Sequence, residues 1–263
     1  MKLVRKGKIS YLQPTWATEN IEAGFTTRNG GISRPPYNSL NLAYHTEDAR
    51  YNVEGNRSTL TRSFDLQPHL LLTVNQVHGN DILVVDQPNY DLSHFLTVEC
   101  DAIVTNQTGI MIGVLVADCF PVLLFDTDRR AAAAVHVGWR GAASGILKKA
   151  VDSMKSVFDC HPERICAAVG PGIGAHSYIV DRPVRDAFRQ GSGHWQQITE
   201  ELELGKWRLD LRRSCLLQLQ DAGLTESRID VAEECTCCHR EMFFSYRRDK
   251  GVTGRQMGFM LLK

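Results

Sequence analysis

Two apolar runs separated by a short polar turn constrain the fold of this chain more than any other feature. The runs, Val114–Asp126 and Ala131–Val137, have the length and composition of buried β-strands. A turn centred just after Thr127 makes them an antiparallel hairpin in which Cys119 lies directly opposite His136. Paired side chains of this kind have Cβ atoms roughly 4.5–5.5 Å apart, close enough to share a proton or a metal ion. A loop with an odd number of residues would break this pairing.

Charge and hydropathy indicate which classes of partner the chain can have. The 263 residues include 30 basic and 30 acidic side chains, so the formal net charge is zero. Nucleic-acid-binding proteins usually show an excess or a cluster of positive charge, whereas only short basic runs such as Arg247-Arg248 occur here. We therefore expect a small-molecule substrate and no nucleic acid. We also expect no membrane span, because the longest apolar run, residues 110–125, is too short and contains Asp118 and Pro121.

The eight cysteines bear on location and cofactors. The N-terminal residues carry charge but no apolar segment typical of a signal peptide, so we expect reduced thiols in a cytoplasmic protein. Cys235–His239 contains a Cys-x-x-Cys-His pattern, but its residues are too crowded to supply four ligands to one tetrahedral ion. We interpret them as free thiols.

The order of the predicted elements indicates the fold class. No repeat, low-complexity tract or flexible linker divides the sequence, so residues 1–263 are predicted to form a single domain. Ala142–Phe158 has the periodicity of an amphipathic helix, and residues 243–246 are predicted to be a strand. Many strands with irregularly interspersed helices predict a mixed-sheet α+β fold.

Two glycine-rich motifs each have a functional and a structural interpretation. Gly170–Ala175 fits a dinucleotide-binding pattern, but Pro171 stiffens the turn and a strand-like segment follows where a helix should begin. A turn that lines a pocket or packs on a neighbouring strand is the favoured interpretation. Gly138–Gly141 precedes a helix, so its backbone N–H groups and Arg140 would suit an anion. A plain strand-to-helix turn explains this motif equally well.

A metal site at Cys119 and His136 needs a third ligand. His78 is the best candidate, because it lies in a glycine-containing loop between two predicted strands. Two imidazoles and a thiolate with an open fourth position make a catalytic zinc arrangement. A cysteine–histidine nucleophilic pair without metal is the rival interpretation.

Motifs along the whole chain resemble those of one known family. They are Thr26–Ser33, Ser39–His45, Asn56-Arg57, Gln76–Gly79, Ala117–Pro121, Val135–Gly141, Gly170–Gly174 and Phe244–Asp249. The chain resembles the YfiH/YlmD-type proteins, also called laccase-domain or multicopper polyphenol oxidase proteins and, more recently, purine nucleoside phosphorylases. The resemblance implies a four-layer α/β/β/α arrangement around a mixed β-sandwich. It also implies that His78, Cys119 and His136 form the catalytic site and bind its metal, which is zinc, with copper as the alternative.

The activity implied by the resemblance is phosphorolysis of adenosine, inosine, guanosine and methylthioadenosine, together with deamination of adenosine at the zinc site. Copper-dependent oxidation of polyphenols is the alternative. It is disfavoured because multicopper sites use many histidines in His-x-His pairs, whereas the nine histidines here are scattered and form none. A cysteine hydrolase or a peptidoglycan-editing factor is a further alternative.

Phosphorolysis requires contacts to phosphate and to the nucleoside. Arginines are expected at the anion, and polar side chains from the shared motifs are expected to orient sugar or base. The predicted substrate contacts are Arg28, Asn41, His45, Arg57, Gln76 and Arg140. The expected partners are a purine nucleoside and phosphate, and the expected assembly is a monomer or a homodimer.

Overall fold

The computed structural model describes residues 1–18, 20–87, 94–191, 194–203 and 205–263. Within these residues the helices are α1 (Arg50–Arg62), α2 (Trp139–Ala143), α3 (Ile146–Phe158), α4 (Arg182–Gln190), α5 (Trp195–Ile198) and α6 (Leu211–Asp221). The strands are β1 (Lys2–Lys6), β2 (Ile9–Gln13), β3 (Ile21–Thr26), β4 (Leu71–Leu72), β5 (Ile82–Val85), β6 (Ala102–Thr105), β7 (Met111–Val116), β8 (Phe120–Asp126), β9 (Ala131–Val137), β10 (Ile165–Val169), β11 (Ile179–Val180), β12 (Thr199–Glu201), β13 (Trp207–Leu209), β14 (Ile229–Val231) and β15 (Gln256–Leu262).

Two six-stranded mixed sheets form the centre of the molecule. The first has the order β1-β2-β3-β15-β7-β4 and the second β14-β10-β8-β9-β6-β5. Most neighbours are antiparallel, whereas β4 pairs parallel with β7, β5 with β6, and β10 with β14. A smaller sheet, β11-β13-β12, supplements them.

Three apolar clusters fix the order of the layers. One cluster lies between the sheets and contains Phe25, Phe125 and Met260. A second covers the other face of the second sheet with side chains of α3 and α6. The third joins the other face of the first sheet to α1 through Leu60. Because a sheet buried on both faces needs a layer on each side, the result is the α/β/β/α order, which confirms the expected α+β fold.

The hairpin of β8 and β9 is present, but its predicted register is wrong. Pro121, rather than Cys119, pairs with His136. The turn spans residues 127–130, because the Asp126 carboxylate accepts hydrogen bonds from two backbone N–H groups within it at 2.9 and 3.1 Å. The register is therefore displaced by two residues. A shift of two keeps both side chains on the same face, so Cys119 and His136 remain neighbours along a diagonal.

The run from 114 to 126 is two strands rather than one. β7 pairs with β15 in the first sheet, whereas β8 pairs with β9 and β10 in the second. Residues 117–119 cross between the sheets, and Asp118 adopts a positive φ of 92° there. Both strands are buried throughout, so no alternation of polar residues marks the break. The crossing places Cys119 where the two sheets meet.

Two other predicted elements differ in the structure. The helix predicted over 142–158 is divided, because Gly145 adopts a φ of 76° between α2 and α3. The strand predicted at 243–246 does not form. Instead, the Gln256 side chain accepts from the N–H of Phe244 at 2.8 Å and donates to its carbonyl at 3.2 Å. Among the described residues, none of the helices has the length and apolar character needed to cross a membrane.

Candidate metal centre and its cavity

His78, Cys119 and His136, which we call the trio, come together from three separate segments. One ligand atom of each lies within 4.8 Å of the others. His78 is in the loop after β4, Cys119 immediately precedes β8, and His136 is in β9. The two imidazole rings have centroids 4.8 Å apart and lie nearly perpendicular, at 81°. His136 is buried, Cys119 half-buried and His78 exposed, so the trio is open to solvent on the His78 side.

Asp101, which the sequence analysis did not identify, holds two members of the trio in place. Its side chain is fully buried, and Oδ1 lies 2.7 Å from Nδ1 of His136. The same carboxylate accepts hydrogen bonds from the backbone N–H groups of Val77, His78 and Gly79 at 3.2, 3.0 and 2.6 Å. Asp101 therefore leaves Nε2 of His136 as the ligand atom and fixes the loop that carries His78.

The charges within the trio reinforce one another. Burial acts to raise the pKa of the Cys119 thiol, but the charge and hydrogen bond of His136 outweigh it and hold that pKa below its ordinary value. Burial likewise acts to lower the pKa of His136, but the Cys119 thiolate and Asp101 raise it. Metal-free protein thus has a thiolate beside an imidazolium, and a metal cation would replace the imidazolium proton.

The spacing of the trio fits a zinc ion. Zn–S and Zn–N distances of about 2.3 and 2.0–2.1 Å in a tetrahedron place the ligand atoms about 3.3–3.6 Å apart, which is compatible with three atoms that all lie within 4.8 Å of one another. Gly138 permits this close approach. A Cβ at that position would lie 3.0 Å from Cδ2 of His78 and 3.4 Å from Sγ of Cys119. The donor set, the thiolate and the oriented imidazole together suit a metal with one open coordination position.

Asp118, next to Cys119, is part of the framework of the site. Its Oδ1 accepts from the Thr236 hydroxyl at 2.6 Å, and its Oδ2 accepts from the backbone N–H of Arg247 at 2.6 Å. Its carbonyl accepts from the N–H of Ile173 at 2.9 Å. These bonds hold Asp118 in its positive-φ conformation and set the direction in which Cys119 leaves the crossing.

The trio lies in a cavity of about 590 Å³. Apolar side chains, two tyrosines and two arginines share its wall. The lining residues are His45, Asn75, Gln76, His78, Leu115, Val116, Ala117, Asp118, Cys119, His136, Ile173, Tyr178, Tyr246, Arg247 and Arg255. The guanidinium of Arg247 lies 5.1 Å from the ring of Tyr178, and that of Arg255 lies 5.6 Å from the ring of Tyr246. The cavity therefore combines the candidate metal ligands with cationic and aromatic surfaces.

Two of the six predicted substrate contacts line this cavity. His45 faces it, and burial together with the positive charges of Arg255, His136 and His78 lowers the pKa of His45, so its imidazole is neutral at neutral pH. Gln76 also lines it, but the Gln76 amide is engaged with the main chain. It donates to the Leu115 carbonyl and accepts from the Leu115 N–H, both at 2.8 Å. Gln76 therefore positions β7 beside the trio.

Three other predicted contacts are held by the fold away from this cavity. Arg28 lines a separate surface cavity and donates to the carbonyl oxygens of Asn38 and Arg240. Asn41 is fully buried, and its amide bonds to neighbouring loop residues. Arg57 is buried and donates to the Leu42 carbonyl and to the Thr73 hydroxyl. Their hydrogen bonds give these three residues a structural role within the fold.

The two glycine-rich motifs differ in whether they reach the cavity. Arg140, predicted to bind an anion, is exposed on the five-residue helix α2. Its guanidinium lies 4.3 Å from the ring of Trp139. Arg140 is not among the described residues that line the cavity. The loop 170–175 is followed by one short turn of helix rather than by the long helix of a dinucleotide site. Ile173 from this loop lines the cavity, as expected for a turn at a pocket.

The residues missed by sequence reasoning come mainly from the last motif of the chain. Tyr246, Arg247 and Arg255 reach the cavity from residues 244–255. The motif Phe244–Asp249 contributes to the family resemblance, but the sequence analysis assigned no substrate contact to it. Asp101 was missed because one acidic residue before a buried strand has no periodic pattern. The available signal was an acidic side chain directly preceding the apolar strand β6.

Comparisons with known proteins agree with the fold and show the family. Residues 22–263 match the family described as multi-copper polyphenol oxidoreductase laccase. Purine nucleoside phosphorylase YlmD of Geobacillus stearothermophilus is 34% identical over 247 residues, which make up 90% of this chain and 89% of that protein. Purine nucleoside phosphorylase YfiH of Escherichia coli (strain K12) is 35% identical over 254 residues, 95% of this chain and 97% of that protein.

A solved structure extends the agreement to three dimensions. The crystal structure of Bacillus licheniformis hypothetical protein YfiH aligns with a TM-score of 0.90 at 33% identity and covers 98% of this chain and 97% of that chain. The resemblance inferred from the motifs is thereby confirmed over nearly the whole length. The chain belongs to the multi-copper polyphenol oxidoreductase laccase family, with YfiH- and YlmD-type proteins among its relatives.

Proposed function

We propose that this protein is a metal-dependent purine nucleoside phosphorylase. One observation carries the proposal: the trio shares a cavity with two arginine–tyrosine pairs, so one ligand can meet a metal, cationic groups and aromatic rings at once. The names of the relatives from Geobacillus stearothermophilus and Escherichia coli support the same activity. The proposed substrates are adenosine, inosine, guanosine or methylthioadenosine, with phosphate.

Arg247 and Arg255 are the proposed phosphate contacts. Both line the cavity, and a guanidinium pairs with phosphate through parallel N–H groups. In the part of the chain that the structure describes, both hydrogen bonds from the Arg255 side chain come from Nη1, to the carbonyl oxygens of Thr253 and Gly254. The Nε and Nη2 groups of Arg255 therefore retain donors for an anion. This assignment places phosphate away from the sequence-predicted Arg28 and Arg57.

The nucleoside contacts follow from the rest of the wall. Tyr178 and Tyr246 present aromatic rings on which a purine can stack, and Leu115 and Ile173 add apolar surface that excludes water. His45, with its neutral imidazole, has one donor and one acceptor for a ribose hydroxyl or a purine nitrogen. The cavity of about 590 Å³ is large enough for a nucleoside with phosphate beside it.

A zinc ion held by His78, Cys119 and His136 would supply a Lewis acid in this cavity, and the same donor set also suits copper. The protein's own residues bind and orient the two substrates. Phosphorolysis joins phosphate to C1′ of the sugar as the bond to the purine breaks, through an oxocarbenium-like state. The arginines hold the incoming phosphate, the tyrosines keep the base aligned, and Asp101 keeps His136 in one orientation.

Deamination of adenosine at the same site has weaker geometric support. This reaction needs a group that moves protons between water and the purine. Among the described lining residues, the only carboxylate is that of Asp118, and both of its oxygens accept hydrogen bonds from Thr236 and Arg247. We therefore rank phosphorolysis first, with deamination as an additional activity to be measured in the same assay.

A second candidate function follows from Asp101. In a cysteine hydrolase, a thiol nucleophile is activated by a histidine base that a carboxylate orients. Here Cys119 would be the nucleophile, His136 the base and Asp101 the orienting carboxylate. A hydrolase of this kind, acting for example on peptidoglycan precursors, works without a metal. Phosphorolysis at the trio requires one, so removal of the metal separates the two candidates.

The experiment is an assay with inosine as the substrate and with phosphate present or absent. We expect hypoxanthine and ribose 1-phosphate only when phosphate is present, and we expect Cys119→Ala to lose both the metal held by the trio and the activity. Cys166→Ala, a buried cysteine in β10, is the matched control and should retain both. Failure to release base from any purine nucleoside by the fully metallated protein would overturn the proposal. Hydrolysis of a peptidoglycan precursor that survives chelation would favour the hydrolase, and oxidation of a phenol by copper-loaded protein would favour the laccase-like alternative.

A further inference from the structure

A second group of metal-binding side chains lies outside the catalytic trio. His176, Cys235 and Cys238, which we call the second cluster, each offer a ligand atom within 4.8 Å of the others. Within Cys235–His239 alone, the residues are too crowded to supply four ligands to one ion. The fold adds His176 from a loop that lies 59 residues earlier in the chain (235 − 176). We propose that the second cluster binds a divalent zinc ion of its own.

The backbone brings the two cysteines to one side of a tight turn. The N–H groups of Cys238 and His239 both donate to the carbonyl of Cys235, at 3.1 and 3.0 Å. Cys235 and Cys238 have the Cys-x-x-Cys spacing that allows two thiolates to hold one ion. Cys237 between them is not part of the cluster.

The third ligand reaches the turn through backbone pairing. Gly172 forms an isolated parallel bridge with Cys235, and the N–H of Thr236 donates to the Gly172 carbonyl at 3.0 Å. This pairing fixes the loop that carries His176 beside the cysteine turn. Nε2 of His176 then lies 3.0 Å from Sγ of Cys238.

The surroundings of Cys235 suit a thiolate. Its sulfur is buried and accepts a hydrogen bond from the N–H of Gly174 at 3.1 Å. Backbone N–H groups aimed at a sulfur stabilise its negative charge, as they do around metal-bound cysteines. Tetrahedral zinc places nitrogen and sulfur ligands about 3.6 Å apart, so a shift of about 0.6 Å at the exposed His176 side chain brings its Nε2 to that spacing from Cys238.

The donor set selects the ion. Two thiolates and one imidazole favour zinc over magnesium or calcium, which prefer oxygen ligands. Three protein ligands leave the fourth position for water, on the side where His176 and Cys238 are exposed. Bound there, zinc would cross-link the loop at 172–176 to the segment that begins at Cys235. Both segments reach the cavity wall, through Ile173 from the first and through Tyr246 and Arg247 from the second.

The sharpest test removes the trio as a binding site and keeps the second cluster. Metal-depleted Cys119→Ala is titrated with Co²⁺, whose bonds to thiolates give intense charge-transfer absorption that bonds to imidazole alone do not. We expect one Co²⁺ per chain with this absorption. It should disappear in Cys119→Ala/Cys238→Ser, and it should persist in the matched control Cys119→Ala/Cys237→Ser.

A second series starts from the wild type in case Cys119→Ala does not fold. His176 and Cys238 are exposed, so His176→Ala and Cys238→Ser should leave the fold intact. Each should lower the zinc content of protein equilibrated with zinc from about two ions per chain to about one, whereas Cys237→Ser should retain both. The proposal fails if folded Cys119→Ala shows no thiolate absorption, or if the absorption survives in Cys119→Ala/Cys238→Ser. It also fails if reduced wild-type protein holds a single zinc that neither variant removes.

Discussion

The trio and the second cluster use the same two residue types but are supported differently. In the trio, a fully buried carboxylate stands behind one imidazole and also anchors the loop of the other. In the second cluster, a backbone N–H supports one sulfur, while His176 and Cys238 lie at the surface. A carboxylate behind a metal-bound histidine fixes its orientation and raises its basicity. The difference suggests that the trio is built for a reactive metal in a cavity, and the second cluster for a metal that joins two segments.

Asp101→Asn should have the largest effect, because it removes the buried carboxylate that supports the trio and has no counterpart among the described residues of the second cluster. Asparagine keeps the shape but not the charge, so His136 loses its anionic partner and the loop of His78 loses part of its anchor. Replacing such a carboxylate lowers metal affinity by about 10–100-fold. We expect that loss at the trio, a comparable loss of kcat/KM for phosphorolysis, and unchanged metal binding at the second cluster. Competition with a chelator measures both affinities.

Asp81→Asn is the matched control for this change. The Asp81 side chain is exposed and pairs with Lys149, while its backbone carbonyl accepts the N–H of Asp101. Exchange of a surface carboxylate should leave both metal affinities and the activity within about twofold, since surface ion pairs contribute little. Equal behaviour of Asp81→Asn and Asp101→Asn would contradict the role given to the buried carboxylate.

Arg247→Met tests whether the cavity beside the trio binds phosphate. The side chain lines the cavity, whereas the contact of this residue with Asp118 uses its backbone N–H and survives the substitution. A hydrogen bond to a charged group is worth about 1.5–3 kcal/mol, so we expect the KM for phosphate to rise about tenfold or more. Arg140→Met removes the anion contact predicted from the helix start and should change this KM less than twofold. The opposite ranking would return the phosphate site to Gly138–Gly141.

A glycine packs against each cluster, which allows a reciprocal test. A Cβ on Gly138 would lie 3.0 Å from His78, and a Cβ on Gly174 would lie 2.8 Å from His176. Both glycines have negative φ angles that alanine adopts freely, so Ala affects packing rather than backbone strain. We expect Gly138→Ala to weaken metal binding at the trio and Gly174→Ala to weaken it at the second cluster, each about fivefold, from about 1 kcal/mol of crowding. Weakening of both sites by either variant would contradict their independence.

Local patterns predicted the elements that carry the trio, but tertiary detail decided their register. The apolar runs predicted the β8–β9 hairpin, and both strands form. The register could not be predicted, because the side chain of Asp126 selects a four-residue turn. The break before Cys119 could not be predicted either, since two fully buried strands show no polar alternation at their junction.

The rest of the candidate site depends on contacts between residues distant in sequence. Asp101 lies 35 residues from His136, and His176 lies 62 residues from Cys238. Neither pair has a spacing that marks a motif, because strand order rather than local geometry brings the partners together. The motif resemblance identified the trio. The resemblance could not reveal that the side chains of Arg57 and Asn41 form hydrogen bonds within the fold, Arg57 to the main chain and Asn41 to a neighbouring loop.

The smallest expected effect is a difference in thiol reactivity between the clusters in metal-depleted protein. At Cys119, burial acts to raise the pKa, but the positive charge of His136 outweighs it and lowers the pKa. At Cys238, the hydrogen bond from Ser177 acts to lower the pKa, yet slight burial and the neighbouring sulfur of Cys235 raise it on balance. Only the thiolate reacts with iodoacetamide, and its population grows as the pH rises through the pKa. As the pH is raised from 5, Cys119 should therefore become alkylated at a lower pH than Cys238, despite being less exposed.

Peptide mass spectrometry measures both rates, and zinc should protect both cysteines. Alkylation of Cys238 first across this range would show that exposure outweighs the charge of His136, and the electrostatic contrast between the clusters would then be wrong.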